Sequence, residues 1–303
     1  MADVPQSPRG AAPGPLIGVV DPDDPRLDPY RDLTDPAKRI RMGGDGSVFV
    51  VEGRLAVGRL LTSDYTVRSL LVDDHQMTAA GDLVAATRAQ GAPVYVGSRA
   101  VVTSTVGFAL HRGVVAVADR PAPFDPGRLL TAASGTSTAD GPPLVAVLEG
   151  LNDHENIGAL FRNAAAFGVR GVLLDPTSAD PLYRRSVRVS VGHVLHVPFA
   201  RLVPWPTGLS QVRDAGFVVA ALAPRPTASG GVPAVSLAEL KAKVIDSGPA
   251  VGVALVLGAE GPGLTESARA AADVVVHIPM AHGVDSLNVA TAAAVAFHTL
   301  GGL

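Results

Sequence analysis

Cysteine is absent from all 303 residues. A disulfide framework and any metal site built on thiolates are thereby excluded, and the chain suits a reducing cytoplasm, although any compartment tolerates it. Charge is also sparse. Asp, Glu, Lys and Arg make up 17% of the residues, and the formal net charge is -3. Domains that hold nucleic acid by bulk electrostatics carry a strong positive excess, so any such contact here must come from local patches. Apolar runs never reach the roughly 18 residues that a membrane span requires, and no basic stretch backed by an apolar core opens the chain. Neither a span nor a signal peptide is predicted, and the expectation is a cytoplasmic protein with no membrane partner.

Several catalytic signatures are missing as well. No G-x-G-x-x-G follows the first strand with an acidic residue about 20 positions on, which argues against a dinucleotide enzyme. GAEGPGL has Leu264 where a phosphate-cradling loop needs lysine. The spaced pairs His193/His196 and His277/His282 have no His-Glu-x-x-His around them, and no metal is expected. A serine nucleophile elbow, G-x-S-x-G, does not occur.

What the chain does contain is a regular alternation of β-branched runs and helical patterns. At 47% hydrophobic it is globular and long enough for two domains. Residues 1–20 begin rich in Pro, Ala and Gly and read as a flexible tail. A small α/β domain is predicted over 21–120, opening with Pro-broken turns and a basic cluster of Lys38, Arg39 and Arg41. Its strands are expected at 47–51, 67–72, 94–96 and 114–118, with helices at 54–62 and 78–90. Phe108, His111, Arg112 and Gly113 close it. Residues 121–142, broken by prolines and without periodicity, read as a linker. From 143 to 303 strands and helices alternate again, as in an open α/β sheet.

Three stretches in this second half share one grammar of strand, polar turn and helix: LVAVLEGLNDHENIGALFRNAAAFGV, VALVLGAEGPGLTESARAAA and HIPMAHGVDSLNVATAAAVAFHTL. Such turns at the carboxyl ends of strands are where open α/β sheets bind ligands. In the last stretch Ser286 is expected to cap a helix whose apolar face is Leu287, Ala290, Ala294 and Phe297. Arg162 follows Gly158 by one helical turn, Glu260 sits in a glycine turn, and Ser286 and Asn288 are two apart at a helix start. A second basic segment carries Arg184, Arg185 and Arg188.

The elements Asn156-x-Gly158-x-x-x-Arg162, Gly258-x-Glu260-x-x-Gly263 and Ser286-Leu287-Asn288-Val289, in this order, resemble the three motifs of the SpoU family of RNA 2'-O-ribose methyltransferases, within the SPOUT superfamily. The resemblance implies an α/β trefoil-knot domain over 143–303, preceded by a ribosomal-protein-like α/β domain that recruits RNA, and a homodimer packed through the final helix and its face of Ala290, Ala293 and Ala294. It implies S-adenosylmethionine as cofactor, held mainly by backbone at Leu222, Ala223, Leu257, Gly258, Gly261, Ile278, Met280 and Leu287. Arg162, Glu260, Ser286 and Asn288 become the catalytic set, while Asn156, Arg184, Arg185 and Arg188 become substrate contacts. His154 stands where the family often has proline, and Asn163 where threonine is common; neither change removes a functional group. Ribosomal RNA is the expected substrate. Transfer RNA and an RNA-binding scaffold without catalysis are the alternatives.

Overall fold

The computed structural model describes residues 12–31, 33, 47–108, 110, 113–135, 141–224, 232–248, 250–281 and 286–301. Lys38, Arg39, Arg41, His111, Arg112 and His282 lie outside the described residues. Two compact units emerge, one running to Pro121 and including Leu182–Leu195, the other made of Ala122–Pro181 and the chain from His196 onward.

The first unit is built on a mixed sheet of Leu16–Val19 (β1), Val48–Glu52 (β2), Val67–Asp73 (β3), Val94–Gly97 (β4) and Val114–Asp119 (β5), in the order β1-β4-β3-β5-β2. Strands β1, β4 and β3 run parallel, whereas β5 is antiparallel to both β3 and β2. Near-continuous apolar runs such as VFVV and VVAVA are what a sheet covered on both faces requires. Leu16–Val19, assigned by composition to a tail, pairs instead as an edge strand. Arg54–Leu61 (α1), Gly81–Ala89 (α2) and Arg99–Val106 (α3) pack around this sheet. The third helix was not anticipated because β-branched residues dominate it; Ser98 accepts from Val101 N at its start and Gly107, in the left-handed region, ends it.

Residues 182–195 belong to this unit although they follow the two strands that open the second. Helix Arg184–Val189 covers β2, an edge strand whose backbone would otherwise be open. Arg184 Nη1 donates to Glu52 Oε2 at 2.6 Å, and the guanidinium lies 4.6 Å from the ring centre of Phe108. Arg59 Nη1 donates to the carbonyl of Val191 at 2.7 Å. Gly192 has φ of 84°, and a Cβ there would fall 2.9 Å from Ala56 Cα, so only glycine allows this approach.

The second unit holds a sheet of seven parallel strands: Leu144–Glu149 (β6), Gly171–Leu174 (β7), Phe199–Arg201 (β8), Phe217–Leu222 (β9), Ala234–Ser236 (β10), Gly252–Gly258 (β11) and Val274–His277 (β12). Their order is β10-β12-β9-β11-β6-β7-β8, so β12 enters between two strands laid down before it. Pro126–Ala133 (α4) forms a helix within the expected linker. Asp125 caps it and Pro126 occupies its first turn, where a missing N–H costs nothing. Leu129, Leu130 and Ala133 are buried in the core of the unit. The proline read as a breaker is therefore a helix starter.

Candidate functional site

Because all seven strands of the second unit run the same way, the residues that follow β9, β11, β12 and β6 emerge along one edge, and these four strands are neighbours. Between the first three opens a cavity of about 400 Å³. It is lined by Leu222 at the end of β9 and Ala223 after it, Leu257 and Gly258 at the end of β11 and Gly261 after it, Ile278 and Met280 after β12, and Leu287. These are the eight positions the family pattern assigned to a cofactor. Glu260, Ser286 and Asn288 line the same cavity; Arg162 and Asn156 do not.

Glycine shapes the second turn. A Cβ on Gly258 would lie 2.4 Å from the backbone of both Gly263 and Leu264, closer than real atoms approach. Gly261 and Gly263 have φ of 83° and 70°, in the left-handed region that other residues rarely adopt. Gly263 N donates to Ala259 O at 3.0 Å and closes the turn with exposed Glu260 inside it.

The first motif begins with Asp153, whose Oδ1 accepts from the backbone of Glu155 and Asn156 and caps His154–Ala166 (α5). This cap starts the helix without the family's proline at the following position. Gly158 is buried within the unit rather than open to a ligand. Arg162 is exposed and forms no hydrogen bond or ion pair among the described residues. Asn163 Nδ2 donates to Ala290 O at 2.8 Å, tying α5 to the final helix, Val289–Gly301 (α10).

That final helix starts later than expected. Its cap is Asn288, whose Oδ1 accepts from Ala290 N at 3.0 Å and Thr291 N at 3.2 Å, so Ser286 has no capping role. The same amide donates through Nδ2 to Asn156 Oδ1 at 2.8 Å and to Glu260 Oε1 at 2.9 Å. One side chain thus joins all three motifs. Ser286 and the second oxygen of Glu260 remain without a hydrogen bond among the described residues. Val289, Ala290, Ala293, Ala296, Phe297 and Leu300 form the buried stripe of α10; Leu287, expected on this face, is 40% exposed.

Arg184, Arg185 and Arg188 are not part of this cavity. They lie on the helix of the first unit, where Arg184 is bound to Glu52 and Arg188 Nη1 stands 3.8 Å from the same carboxylate.

Behind the first turn sits a network that the sequence did not reveal. Asp175, buried at the end of β7, accepts from Gly150 N at 3.1 Å, from Ser178 N and Oγ at 2.8 and 2.5 Å, and from Thr177 Oγ1 at 2.5 Å. Ser178 Oγ accepts in turn from Leu151 N at 3.1 Å. Burial pushes the Asp175 carboxyl up, but the Ser178 and Thr177 hydroxyls and the two backbone N–H groups together outweigh it and hold it below the usual carboxylate range.

Comparisons with known proteins give the family. Residues 143–298 match the SpoU rRNA Methylase family, and residues 50–124 match the RNA 2'-O ribose methyltransferase substrate binding family. The chain belongs to the SpoU family and is an S-adenosylmethionine-dependent RNA 2'-O-ribose methyltransferase. An uncharacterized tRNA/rRNA methyltransferase of Mycobacterium tuberculosis is 44% identical over 281 residues, covering 92% of this chain and 90% of that one. Among solved structures, the SpoU methyltransferase AviRb of Streptomyces viridochromogenes superposes with a TM-score of 0.71 at 25% identity, over 91% of this chain and 96% of that one. The fold is shared with an AdoMet-bound rRNA methyltransferase of Sinorhizobium meliloti, at a TM-score of 0.72 and 24% identity over 94% and 97% of the chains. Among the described residues no helix is long and apolar enough to cross a membrane.

The lowered Asp175 pKa sets a pH dependence. A carboxyl depressed in the folded state stabilises it above its unfolded pKa, near about 3.9, and loses that contribution as pH falls through the folded value. Asp175→Asn should therefore cost about 1–3 kcal/mol at neutral pH. Unfolding curves at a series of pH values should show the gap to wild type closing below about pH 4; a gap independent of pH would refute the assignment.

Proposed function

We propose that this methyltransferase acts in the cytoplasm on ribosomal RNA, that the first unit recruits the RNA, and that the reaction takes place where Asn288 joins Asn156 and Glu260 beside the cavity. That junction is the observation that carries the reading, since it gathers three separate motifs around one ligand-sized space. Support for ribosomal RNA comes from the name of the matching family and from the presence of a substrate-binding module ahead of the catalytic one. Relatives named tRNA/rRNA methyltransferases keep transfer RNA as the second reading.

The cavity fits the cofactor. About 400 Å³ is within the range of roughly 300–1,000 Å³ of small-molecule sites, and Leu222, Leu257, Ile278 and Leu287 offer apolar cover while Gly258 leaves bare backbone. When bound, S-adenosylmethionine supplies an electrophilic methyl group. The residues of the chain have the remaining work. A ribose hydroxyl is a very weak acid, so the acceptor oxygen must be aligned within about 3 Å of the methyl carbon and its developing negative charge stabilised. Arg162, with its guanidinium free of protein partners among the described residues, stabilises that charge as the hydroxyl proton is lost to bulk water. Glu260 Oε2 and Ser286 Oγ, both without protein partners there, hold hydroxyls of the RNA, while Asn288, itself bonded to Asn156, fixes Glu260. Arg185 and Arg188, on the first unit, are assigned to phosphate contacts, and Arg184, held by Glu52, braces their helix.

We also infer a homodimer through α10. Ala290 and Ala293 are buried within the chain itself, so the face left for a partner carries Thr291, Val295 and His298, of which Val295 is 40% exposed. Entry of β12 between β9 and β10 is what threading of the last motif through an earlier loop would leave, in keeping with the family's trefoil knot.

Each part has its own test. RNA from source cells lacking the gene, incubated with the protein and methyl-labelled cofactor, should take up label in ribosomal RNA; label confined to transfer RNA would overturn the substrate assignment. Arg162→Ala should lower methyl transfer by at least about a hundredfold while leaving calorimetric cofactor affinity unchanged. Wild-type turnover would remove Arg162 from the mechanism. Light scattering should return the mass of two chains, and a monomer mass would dispose of the dimer.

A further inference from the structure

Glu149 closes β6 and is 5% exposed. No cation pairs with it among the described residues. Instead its carboxylate is filled by three donors: Trp205 Nε1 at 2.7 Å and Thr265 Oγ1 at 2.7 Å on Oε1, and Thr265 N at 2.9 Å on Oε2. An ionised carboxylate only accepts, and removing one from water costs several kcal/mol unless donors replace the solvent. What those donors fasten is therefore the question.

Thr265 is where the second turn ends, and Gly258, where it begins, stands opposite Glu149 in the β6–β11 register. Glu149 thus faces one end of the turn through the sheet and grips the other through both the hydroxyl and the amide of Thr265. Thr265 in turn caps the next helix, accepting from Ala268 N at 3.2 Å. On its far side Glu149 is held by the indole of Trp205, so its carboxylate has little freedom to swing. Between the two fastened ends lies Glu260, whose own carboxylate meets Asn288.

We propose that Glu149 is a positioning residue for methyl transfer: it fixes the turn from Gly258 to Thr265 and, through it, the place of the Glu260 carboxylate. The inference rests on the reading of Glu260 as a catalytic residue. Glu149 itself touches neither substrate nor cofactor.

A double-mutant cycle on the full-length protein tests it, with RNA from source cells lacking the gene as methyl acceptor. Glu149→Gln keeps the shape but puts an amide donor where one acceptor oxygen was, so at least one of the two Thr265 bonds is lost and the turn is loosened. Its kcat should fall about ten- to a hundredfold, as displacing a reacting group by about 1 Å does, with KM for RNA and calorimetric cofactor affinity little changed. Thr265→Val removes the hydroxyl bond to Glu149 together with the cap on Ala268 N, keeps the backbone bond, and should lower kcat likewise, which keeps the test available if the first variant folds poorly. Trp205 donates to the carboxylate being replaced, so the folding control is a far-ultraviolet circular dichroism spectrum and a melting temperature unchanged from wild type. Residues acting through one another give non-additive losses. The Glu149→Gln/Glu260→Ala double variant should therefore be no slower than Glu260→Ala alone. Multiplying losses, or wild-type kcat in Glu149→Gln, would overturn the proposal while leaving Glu260 in place. Wild-type turnover by Glu260→Ala would instead bring down the catalytic reading itself, and the positioning role with it.

Discussion

Four hydrogen bonds on one primary amide hold the catalytic unit's functional edge together. The Asn288 oxygen takes two backbone N–H groups at the start of α10, and its nitrogen gives one hydrogen each to Asn156 and Glu260. An amide offers two donors and an oxygen with two lone pairs, so this side chain is saturated. The paired donors and acceptor are both used: aspartate would keep the cap and lose both donors, and serine could not reach two partners in different elements. The cap cannot form in its observed geometry without also turning the amide toward α5 and the second turn.

A second constraint is topological. Parallel strands deliver their carboxyl ends to a common edge, and ligands bind there because the loops that leave it are free of sheet hydrogen bonding. Loops, however, need restraint if they are to hold reacting groups. Two buried carboxylates provide it on either side of the first motif: Asp175 gathers Gly150, Thr177 and Ser178, and Glu149 gathers Trp205 and Thr265. Neither uses a counter-ion among the described residues. Directional N–H and O–H donors do what a salt bridge would do with less geometric definition, and the cost of burying charge is met by saturating it.

Much of this was legible from residue order alone. Alternating apolar and helical periods located the strands at 47–51, 67–72, 94–96 and 114–118 to within a residue or so, because short β-branched runs bounded by turns leave few alternatives. Six of the cavity positions fall in the second and third motifs and two, Leu222 and Ala223, follow β9; all eight came from the family resemblance rather than from periodicity. What escaped notice shares a common cause. Asn288 rather than Ser286 caps α10 because the cap is selected by a tertiary partner, and Glu149 carries no local signal because its donors lie 56 and 116 positions away. Pro126 was taken for a breaker where an Asp-Pro pair begins a helix. The basic segment at 184–188 read as part of the catalytic half, and nothing local distinguishes a helix that packs on its sequence neighbours from one that packs on β2.

That last helix bears on how the chain is made. The first unit is discontinuous in sequence, and Val187, Val194 and Leu195, all buried in it, are synthesised only after β6, α5 and β7 of the second. A ribosome that has released residues up to 121 has therefore exposed a sheet whose β2 edge is still bare and whose Glu52 has no guanidinium beside it. Folding of the amino-terminal half must either wait for some seventy further residues or pass through an incomplete state with an open strand edge, the kind of surface that chaperones bind and that neighbouring nascent chains pair with.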